Sequence, residues 1–246
     1  MKNTYVITGG TRGIGRGISL KLLSQGHKVF ALYARNTQEA NNLIELAKNL
    51  QGELVCLRGD LTISENMAKI SQQILDSAAS INGLIHCAAS GVHKSVDQLK
   101  TKHLRWTFEV NFFSFHELFL MLLPKLTKGS KIIGLTSAGS QRYLQQYAAV
   151  ASSKGALDAL FRHYAVELAP REISVNLVCP GMVETEAINS FPNREERIDA
   201  AKTLTPSGRL TTVDDVANLI LYILLVEHNQ FTGQTFYLDG GKSLLA

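Results

Sequence analysis

Cysteine, proline and charge are all scarce in this chain of 246 residues. It has three cysteines, Cys56, Cys87 and Cys179, only five prolines, and 19% charged residues. Three scattered cysteines cannot build a disulfide framework, and without a Cys-x-x-Cys pair we predict neither a metal site nor a redox motif. The hydrophobic fraction of 45% excludes a disordered chain, which is rich in charge and poor in apolar residues.

Long basic runs and long apolar runs are also missing. The net charge is only +4 and the chain has no Lys/Arg run, so we expect no nucleic-acid partner. Residues 1–5 lack the apolar run of a signal peptide, and the most apolar late stretch spans only 216–226. Because a membrane-spanning helix needs about 20 apolar residues, we predict no membrane segment and expect a cytoplasmic protein.

Short β-rich runs alternate with longer stretches of helical period. Strands are predicted near 3–8, 28–33, 53–58, 83–88, 130–136, 173–179 and 234–238, and helices near 13–25, 37–50, 63–79, 97–123, 147–169 and 213–226. Nearly continuous apolar strands fit a parallel sheet that is buried on both faces. We therefore predict an α/β fold, a doubly wound Rossmann-type three-layer sandwich with a seven-stranded parallel sheet.

The length allows one large domain or two small ones. The chain shows no linker and no internal repeat, so we predict a single dinucleotide-binding and catalytic domain over 1–246. One long irregular region, 184–211, follows a strand. We expect it to form a substrate lid at the carboxyl edge of the sheet, where ligands bind in such folds.

A glycine-rich loop follows the first predicted strand and reads Thr8-Gly9-Gly10-Thr11-Arg12-Gly13-Ile14-Gly15. Glycines let the backbone approach a pyrophosphate, and the next helix offers its N–H groups and positive dipole end to that anion. A glycine-rich turn without a ligand is the alternative. The spacing Gly-x-x-x-Gly-x-Gly departs from the common dinucleotide fingerprint, Gly-x-Gly-x-x-Gly.

This loop resembles the Thr-Gly-x-x-x-Gly-x-Gly signature of the short-chain dehydrogenase/reductase family, and the resemblance extends to the terminal Leu238-Asp239-Gly240-Gly241. It implies a nicotinamide cofactor held at Gly9, Thr11, Arg12, Gly13, Ile14, Gly15, Asp60, Leu61, Ala88, Lys154, Pro180, Gly181, Val183 and Thr185. One motif departs from the family pattern. Where Asn-Asn-Ala-Gly is expected, the chain reads His86-Cys87-Ala88-Ala89, so the asparagine contacts are not transferred.

The end of the second strand, Tyr33-Ala34-Arg35-Asn36, bears on the choice of cofactor. Enzymes that use NAD place a carboxylate here to bind the ribose 2′-OH, and this segment has none. Arg35, with Arg12 nearby, can instead bind a 2′-phosphate through its planar fork of donors. We therefore predict NADPH, with a solvated surface arginine as the alternative reading.

The catalytic motif of the family is also altered. Ser137 and Lys154 have the family spacing, but the position four before the lysine is Val150, and the tyrosine lies seven before it, at Tyr147. Tyr-x6-Lys resembles the enoyl-acyl carrier protein reductase branch. The segments 88–92, 142–144 and 191–195 resemble its type III, NADPH-dependent form. Asn111 matches the asparagine of the family on the preceding helix.

The displaced tyrosine has a chemical interpretation. Residues seven apart on a helix share a face and are separated by about 10 Å along the axis. In enoyl thioester reduction, hydride goes to the β-carbon while charge collects on the thioester oxygen, several bonds away. An acid that serves this oxygen should stand further from the nicotinamide than in ketone reduction, and Tyr147 does so.

The resemblance assigns roles to four catalytic residues. Lys154 holds the nicotinamide ribose and is expected to lower the pKa of Tyr147, which acts as the acid. Ser137 shapes the oxyanion pocket, and Asn111 anchors a water or the helix backbone. Tyr143 is a rival acid and a candidate substrate contact, and Tyr147 as a packing aromatic remains an alternative.

We therefore predict an oxidoreductase that transfers hydride from NADPH to an enoyl thioester carried on acyl carrier protein. The alternatives are a 3-oxoacyl or other carbonyl reductase, and a non-catalytic NADPH-binding sensor. Ile188 and Phe191 are expected to contact the acyl chain as lid residues, or to anchor a short helix. Lys100, Lys102 and Arg105 could attract an acidic carrier or form a solvated basic face. The family also implies a homotetramer.

Overall fold

The computed structural model describes residues 2–185, 194–227 and 229–245, except for the side chains of residues 194 and 197. The predicted seven-stranded sheet is confirmed within these residues. Its strands are β1 (Thr4–Thr8), β2 (Lys28–Tyr33), β3 (Glu53–Arg58), β4 (Ile81–His86), β5 (Leu126–Leu135), β6 (Ser174–Pro180) and β7 (Thr235–Leu238).

All neighbouring strands run parallel, in the order β3-β2-β1-β4-β5-β6-β7. The chain reverses its direction of travel across the sheet between β3 and β4. The strands on either side of this reversal are β1 and β4, which place Thr8 opposite His86 at their carboxyl ends. Ligands bind at such a switch point in open parallel sheets, so the topology places the candidate site here.

Eight helices connect these strands in the described part of the chain. They are α1 (Gly13–Ser24), α2 (Thr37–Ala47), α3 (Ser64–Ser77), α4 (Thr101–Phe108), α5 (Ser114–Leu122), α6 (Ala148–Leu168), α7 (Arg194–Thr203) and α8 (Val213–Leu225). None of the described helices is both long and apolar enough to cross a bilayer.

The single helix predicted over 97–123 is wrong in detail. A 3₁₀ turn, Val96–Gln98, precedes α4, and a π-helical turn, Glu109–Phe113, separates α4 from α5. Periodicity could not show this break, because apolar residues continue from the π turn into α5 without interruption of the helical pattern. Single π turns inside helices are frequent at functional sites, and this one carries Asn111.

Two apolar cores, one on each face of the sheet, explain the apolar strands. Val6 of β1 belongs to the core beneath α3, α5 and α6, whereas its neighbours Tyr5 and Ile7 belong to the core beneath α1 and α8. Successive residues of a strand point to opposite faces, so both faces must be apolar to be buried. The predicted three-layer arrangement is therefore confirmed.

Candidate active site

A cleft of about 580 Å³ runs along the carboxyl ends of the strands. It brings together most residues that the sequence assigned to cofactor and catalysis. These are Gly9, Thr11, Arg12, Gly13, Ile14, Gly15, Arg35, Asp60, Leu61, Ala88, Ser137, Tyr147, Lys154, Pro180 and Thr185. One cleft thus contains both the glycine loop and the serine, tyrosine and lysine.

The glycine loop packs backbone against backbone. Gly9 has a φ of 66°, and a Cβ placed there would lie 3.0 Å from the backbone nitrogen of Ala88. A Cβ on Gly15 would lie 2.1 Å from the carbonyl oxygen of Gly9. Across the cleft, the methyl group of Thr185 is the nearest atom to the Cβ position of Gly13, at 3.6 Å. The glycines keep the loop close to the β4 end and leave Thr185 beside the start of α1.

The first turn of α1 faces the cleft with its N–H groups. Arg12 is the N-cap residue and its side chain makes no capping hydrogen bond, and residues 13–16 contain no acid. The first N–H groups of a helix have no partner within the helix, and the dipole makes this end positive. This end of α1 is therefore suited to a phosphate group.

The end of β2 carries an exposed arginine, as the sequence predicted. The Arg35 side chain is 83% exposed, and its Nη2 lies 4.0 Å from Oδ2 of Asp60. Asp60 also accepts hydrogen bonds from the backbone nitrogen and the hydroxyl of Thr62, at 3.1 and 2.7 Å. The Asn36 side chain accepts a hydrogen bond from the Glu39 backbone nitrogen and so caps α2. Arg35 thus remains exposed at the adenosine end of the cleft.

His86 is fully buried in a hydrogen-bonded chain and is not a reactive group. Its Nε2 donates to the Asn111 carbonyl oxygen at 3.1 Å, so its Nδ1 accepts from the hydroxyl of Thr8 at 2.9 Å. The backbone nitrogen of Ala88 in turn donates to the Thr8 hydroxyl. Burial and the charge of Lys154 lower the pKa of His86 to about 3, so the ring is neutral. The chain fixes the β4 end against the glycine loop.

Asn111 holds the loop after β4 to helix α6. Its amide nitrogen donates to the Ser90 carbonyl oxygen at 2.9 Å and to the Ser153 hydroxyl at 3.0 Å. Its amide oxygen accepts from the Ser90 backbone nitrogen at 2.8 Å. The residue is fully buried and is not part of the cleft lining. The structure therefore gives Asn111 a positioning role, as the anchor between the loop after β4 and α6.

Lys154 is 4% exposed, and its ammonium group donates to the Leu135 carbonyl oxygen at 2.7 Å. Burial lowers the pKa of Lys154 to about 8, and the nearby acidic groups of Cys87 and Asp158 oppose part of this effect when they are ionised. A buried cation on the cleft wall can bind ribose hydroxyl groups, which are weak acceptors in water but strong partners in a site of low dielectric constant.

Tyr147 lies at the N-cap of α6, directly after Gln146, which has a left-handed backbone with a φ of 58°. Its hydroxyl is hydrogen-bonded to Ser137. The His93 ring stacks on its ring, with centroids 5.5 Å apart, and a Cβ on Gly139 would lie 2.6 Å from the ring. These contacts fix the direction of the phenol.

The pKa of Tyr147 is raised, mainly because the ring is buried, although the Ser137 hydrogen bond opposes this effect. The expectation that Lys154 lowers the pKa of Tyr147 is therefore wrong for this structure. The two residues are two helical turns apart, and the lysine ammonium is directed to Leu135. Tyr147 consequently stays protonated at neutral pH, as a hydrogen-bond donor requires.

Val150 occupies the position where most family members have the tyrosine. It is 6% exposed, and a Cβ on Gly91 would lie 2.1 Å from its Cγ2. Val150 also contributes to the cleft lining. The usual tyrosine position is thus filled by an aliphatic side chain that packs against the loop after β4. Within the described part of the cleft, the phenol that hydrogen-bonds with Ser137 is Tyr147.

Several predicted residues lie elsewhere. Tyr143 is 86% exposed and is outside the cleft lining, which does not favour it as the acid. Gly181 and Val183 lie behind the lining, where Gly181 donates to the Leu238 carbonyl oxygen and Val183 pairs with Thr211. Ile188 and Phe191 lie outside the described residues, as does part of the predicted lid.

Four residues at or beside the cleft were not predicted from the sequence, namely His93, Trp106, Val110 and Asp158. Trp106 and Val110 line the cleft from α4 and the π turn, so they extend its apolar wall. Their signal was weak, since apolar residues on a helix usually belong to a core. Asp158 had a clearer signal, because an acid one turn after Lys154 on an apolar helix face is unusual.

The cysteines near the site are not nucleophiles. Burial raises the pKa of Cys87 and of Cys179 to about 12, so both remain thiols at neutral pH. Within the described residues, no group of three or more His, Cys, Asp or Glu side chains could hold a metal ion.

The cleft fits a nicotinamide dinucleotide. It has a helix N-terminus for the phosphates, a close approach of glycine backbone to the β4 end, and a buried lysine two helical turns from a hydrogen-bonded phenol. Together these features define an oxidoreductase that uses NAD(P).

Residues 9–243 match the family model described as Enoyl-(Acyl carrier protein) reductase. The chain belongs to the short-chain dehydrogenase/reductase family. It is 28% identical over 247 residues to the 1-cyclohexenylcarbonyl-CoA reductase of Streptomyces collinus, covering 100% of this chain and 88% of that protein. It is 28% identical over 240 residues to the 7alpha-hydroxysteroid dehydrogenase of Escherichia coli (strain K12), covering 96% of this chain and 92% of that protein.

Among solved structures, the chain is similar to the short-chain dehydrogenase/reductase from Serratia marcescens BCRC 10948. The TM-score is 0.90 at 26% sequence identity, and the match covers 98% of each chain.

Proposed function

We propose that this protein is an NADPH-dependent reductase of enoyl thioesters. The observation that carries the proposal is the position of the phenol. Tyr147 is hydrogen-bonded to Ser137 at the N-cap of α6, while Val150 fills the position about one helical turn closer to Lys154. The similarity to a 1-cyclohexenylcarbonyl-CoA reductase supports an α,β-unsaturated thioester as substrate.

When bound, the nicotinamide cofactor supplies a hydride to the β-carbon of the enoyl group. The negative charge then collects on the thioester oxygen, and the Tyr147 hydroxyl donates a hydrogen bond and finally its proton to that oxygen. Ser137 orients the hydroxyl. Lys154 holds the ribose, and Trp106, Val110 and Val150 form an apolar wall that excludes water from the enolate.

The proposal of NADPH over NADH depends on the exposed Arg35. Its side chain lines the cleft, and the β2 end has no carboxylate for a ribose 2′-OH. Replacement Arg35→Ala should raise the KM for NADPH about tenfold or more and leave the KM for NADH nearly unchanged. Lys28, at the opposite end of β2 and outside the cleft lining, gives a control as Lys28→Ala. An equal rise for both cofactors in Arg35→Ala would contradict the proposal.

The decisive assay compares crotonyl and acetoacetyl thioesters on coenzyme A and on acyl carrier protein. We expect NADPH oxidation with the crotonyl thioester, and a loss of about 10²–10⁴-fold in kcat for Tyr147→Phe with unchanged NADPH affinity. Tyr143→Phe is the matched control and should retain activity, since Tyr143 is outside the cleft lining. Turnover of the acetoacetyl thioester alone would reject enoyl reduction.

A second candidate is a carbonyl reductase, in which Tyr147 protonates the oxygen on the carbon that accepts the hydride. The similarity to a 7alpha-hydroxysteroid dehydrogenase favours this alternative. The same assay separates the two activities. Tight binding of NADPH with no turnover of either thioester would instead indicate a sensor.

We further propose a homotetramer that acts on a thioester bound to acyl carrier protein. Exposed apolar side chains on α5, α6 and the C-terminal segment support the assembly, namely Leu120, Met121, Val166, Leu244 and Leu245. The basic side chains of Lys100, Lys102 and Arg105 at α4 support the acidic carrier. Light scattering tests the assembly and should give the mass of four chains. For the carrier, the KM of the acyl carrier protein thioester should rise with salt, whereas the KM of the smaller coenzyme A thioester should not.

A further inference from the structure

Asp158 is a buried acid whose position is not explained by packing. It lies on α6 one turn after Lys154, on the same face, and is 5% exposed. Burying a carboxylate is costly unless hydrogen bonds or an opposite charge compensate. Asp158 therefore needs a partner that benefits from its charge.

Its contacts link it to the catalytic part of the cleft. The Thr136 hydroxyl donates to Asp158 Oδ1 at 2.5 Å, while Lys154 donates to the carbonyl oxygen of the preceding residue, Leu135. The next residue is Ser137, which hydrogen-bonds with Tyr147. Residues 135–137, at and just after the end of β5, are thus each bound by one side chain of α6 or its N-cap, namely Lys154, Asp158 and Tyr147.

The other titratable groups around Lys154 are neutral. On the β4 side, His86 has a pKa of about 3 and Cys87 one of about 12. On β6, burial and the charges of Asp158 and Asp239 raise the pKa of Cys179 to about 12. At the N-cap of α6, burial raises the pKa of Tyr147.

Cys87 opposes the lowering of the Lys154 pKa only as a thiolate. Because its own pKa is about 12 and that of Lys154 about 8, Cys87 is still a thiol when Lys154 titrates. Among these described groups, Asp158 is the remaining one whose charge raises the pKa of Lys154. It is therefore the counter-charge that opposes desolvation of the ammonium group.

We propose that Asp158 is a positioning residue that keeps Lys154 protonated and, through Thr136, holds the end of β5 in register with α6. The inference rests on the role of Lys154 in the proposed function. It adds a carboxylate to the groups on which catalysis depends, at a site that no substrate or cofactor needs to touch.

The direct test is a titration of the Lys154 side-chain nitrogen by NMR in ¹⁵N-lysine-labelled protein without ligands, with the signal assigned from Lys154→Arg. Asp158→Asn keeps the size and the acceptor for Thr136 but removes the charge. We expect it to lower the pKa of Lys154 by about one unit or more. Asp158→Glu keeps the negative charge and should give a Lys154 pKa close to that of wild type. Thr136→Val also keeps the charge, so it should change the pKa of Lys154 by less than half as much as Asp158→Asn does. Should Asp158→Asn fail to fold, Asp158→Ser provides the same test.

An unchanged pKa of Lys154 in Asp158→Asn overturns the proposal. This outcome is distinguishable from a failure of the proposed function, because the titration involves no substrate. As a second measurement, the pH dependence of kcat/KM should shift in the same direction as the pKa of Lys154. Activity that needs protonated Lys154 is lost as the pH rises through its pKa, so Asp158→Asn should lose activity at lower pH than wild type. A purely structural role lowers the rate by the same factor at every pH.

Discussion

The two ends of the cleft are built from different parts of the chain. At the end of the cleft that the proposed function assigns to the phosphate groups, the glycine loop packs backbone against backbone, and the first turn of α1 begins there. At the catalytic end, side chains of α6 and of its N-cap contact the end of β5, Asn111 and the His93 ring. A backbone site depends on the absence of side chains at a few positions, whereas a side-chain site depends on many pairwise contacts.

The largest predicted effect is at the phosphate end. Gly15→Ala places a methyl group about 2.1 Å from the Gly9 carbonyl oxygen, so the loop must move away from the β4 end. We expect loss of measurable NADPH binding in calorimetry, together with a lower melting temperature. Gly129→Ala is the control. Its positive φ makes the backbone strained with alanine, so the melting temperature should fall, but nothing lies within 4 Å of its Cβ position and NADPH binding should not change. Normal NADPH affinity in Gly15→Ala would contradict backbone recognition.

The corresponding change at the catalytic end is Gly139→Ala. The added methyl group would lie about 2.6 Å from the Tyr147 ring and must displace it. Because a misplacement of about 1 Å can cost 10²-fold in rate, we expect kcat to fall by about that factor while NADPH affinity is retained. If NADPH affinity fell as steeply as kcat, the two ends would not be separable, and the comparison would fail.

A smaller effect is expected for His93, which stacks on Tyr147. Aromatic pairs contribute about 0.5–1.5 kcal/mol beyond burial, so His93→Ala should lower kcat about 2- to 13-fold. His93→Phe keeps a ring and should retain most of the activity. Equal losses in both variants would show that the imidazole nitrogens, and not the stacking, are needed.

The smallest effect tests the scaffold between the two ends. Gly155 lies inside α6, and the nearest atom to its Cβ position is the Ser140 carbonyl oxygen, at 3.7 Å. Gly155→Ala should stabilise the protein by about 0.5–1 kcal/mol, because alanine favours the helix interior. Denaturant unfolding measures this gain, and a loss of stability would indicate that α6 has no room for a methyl group beside Lys154.

The same comparison explains what could be predicted from the sequence. The alternation of strands and helices along the chain, the parallel sheet and the glycine loop follow from local patterns, namely apolar runs and glycine spacing. Lys154 and Tyr147 share a cleft, as their spacing on one helix face indicated. The roles of His93 and Asp158 depend on contacts with residues 54 and 22 positions away, at Tyr147 and Thr136. No local pattern reports such contacts, and the raised pKa of Tyr147 follows from burial that only the fold creates.

The π turn at 109–113 holds one residue more than the regular α-helix that could replace it. Deleting a single residue here would therefore restore a regular helix and leave α4 and α5 nearly in their present orientation. Phe115 and Leu118 would keep their places in the core. The asparagine that joins Ser90 to Ser153 would lose its place, because its position depends on the extra residue. A single-codon deletion in this segment should therefore be tolerated by the fold but not by the site.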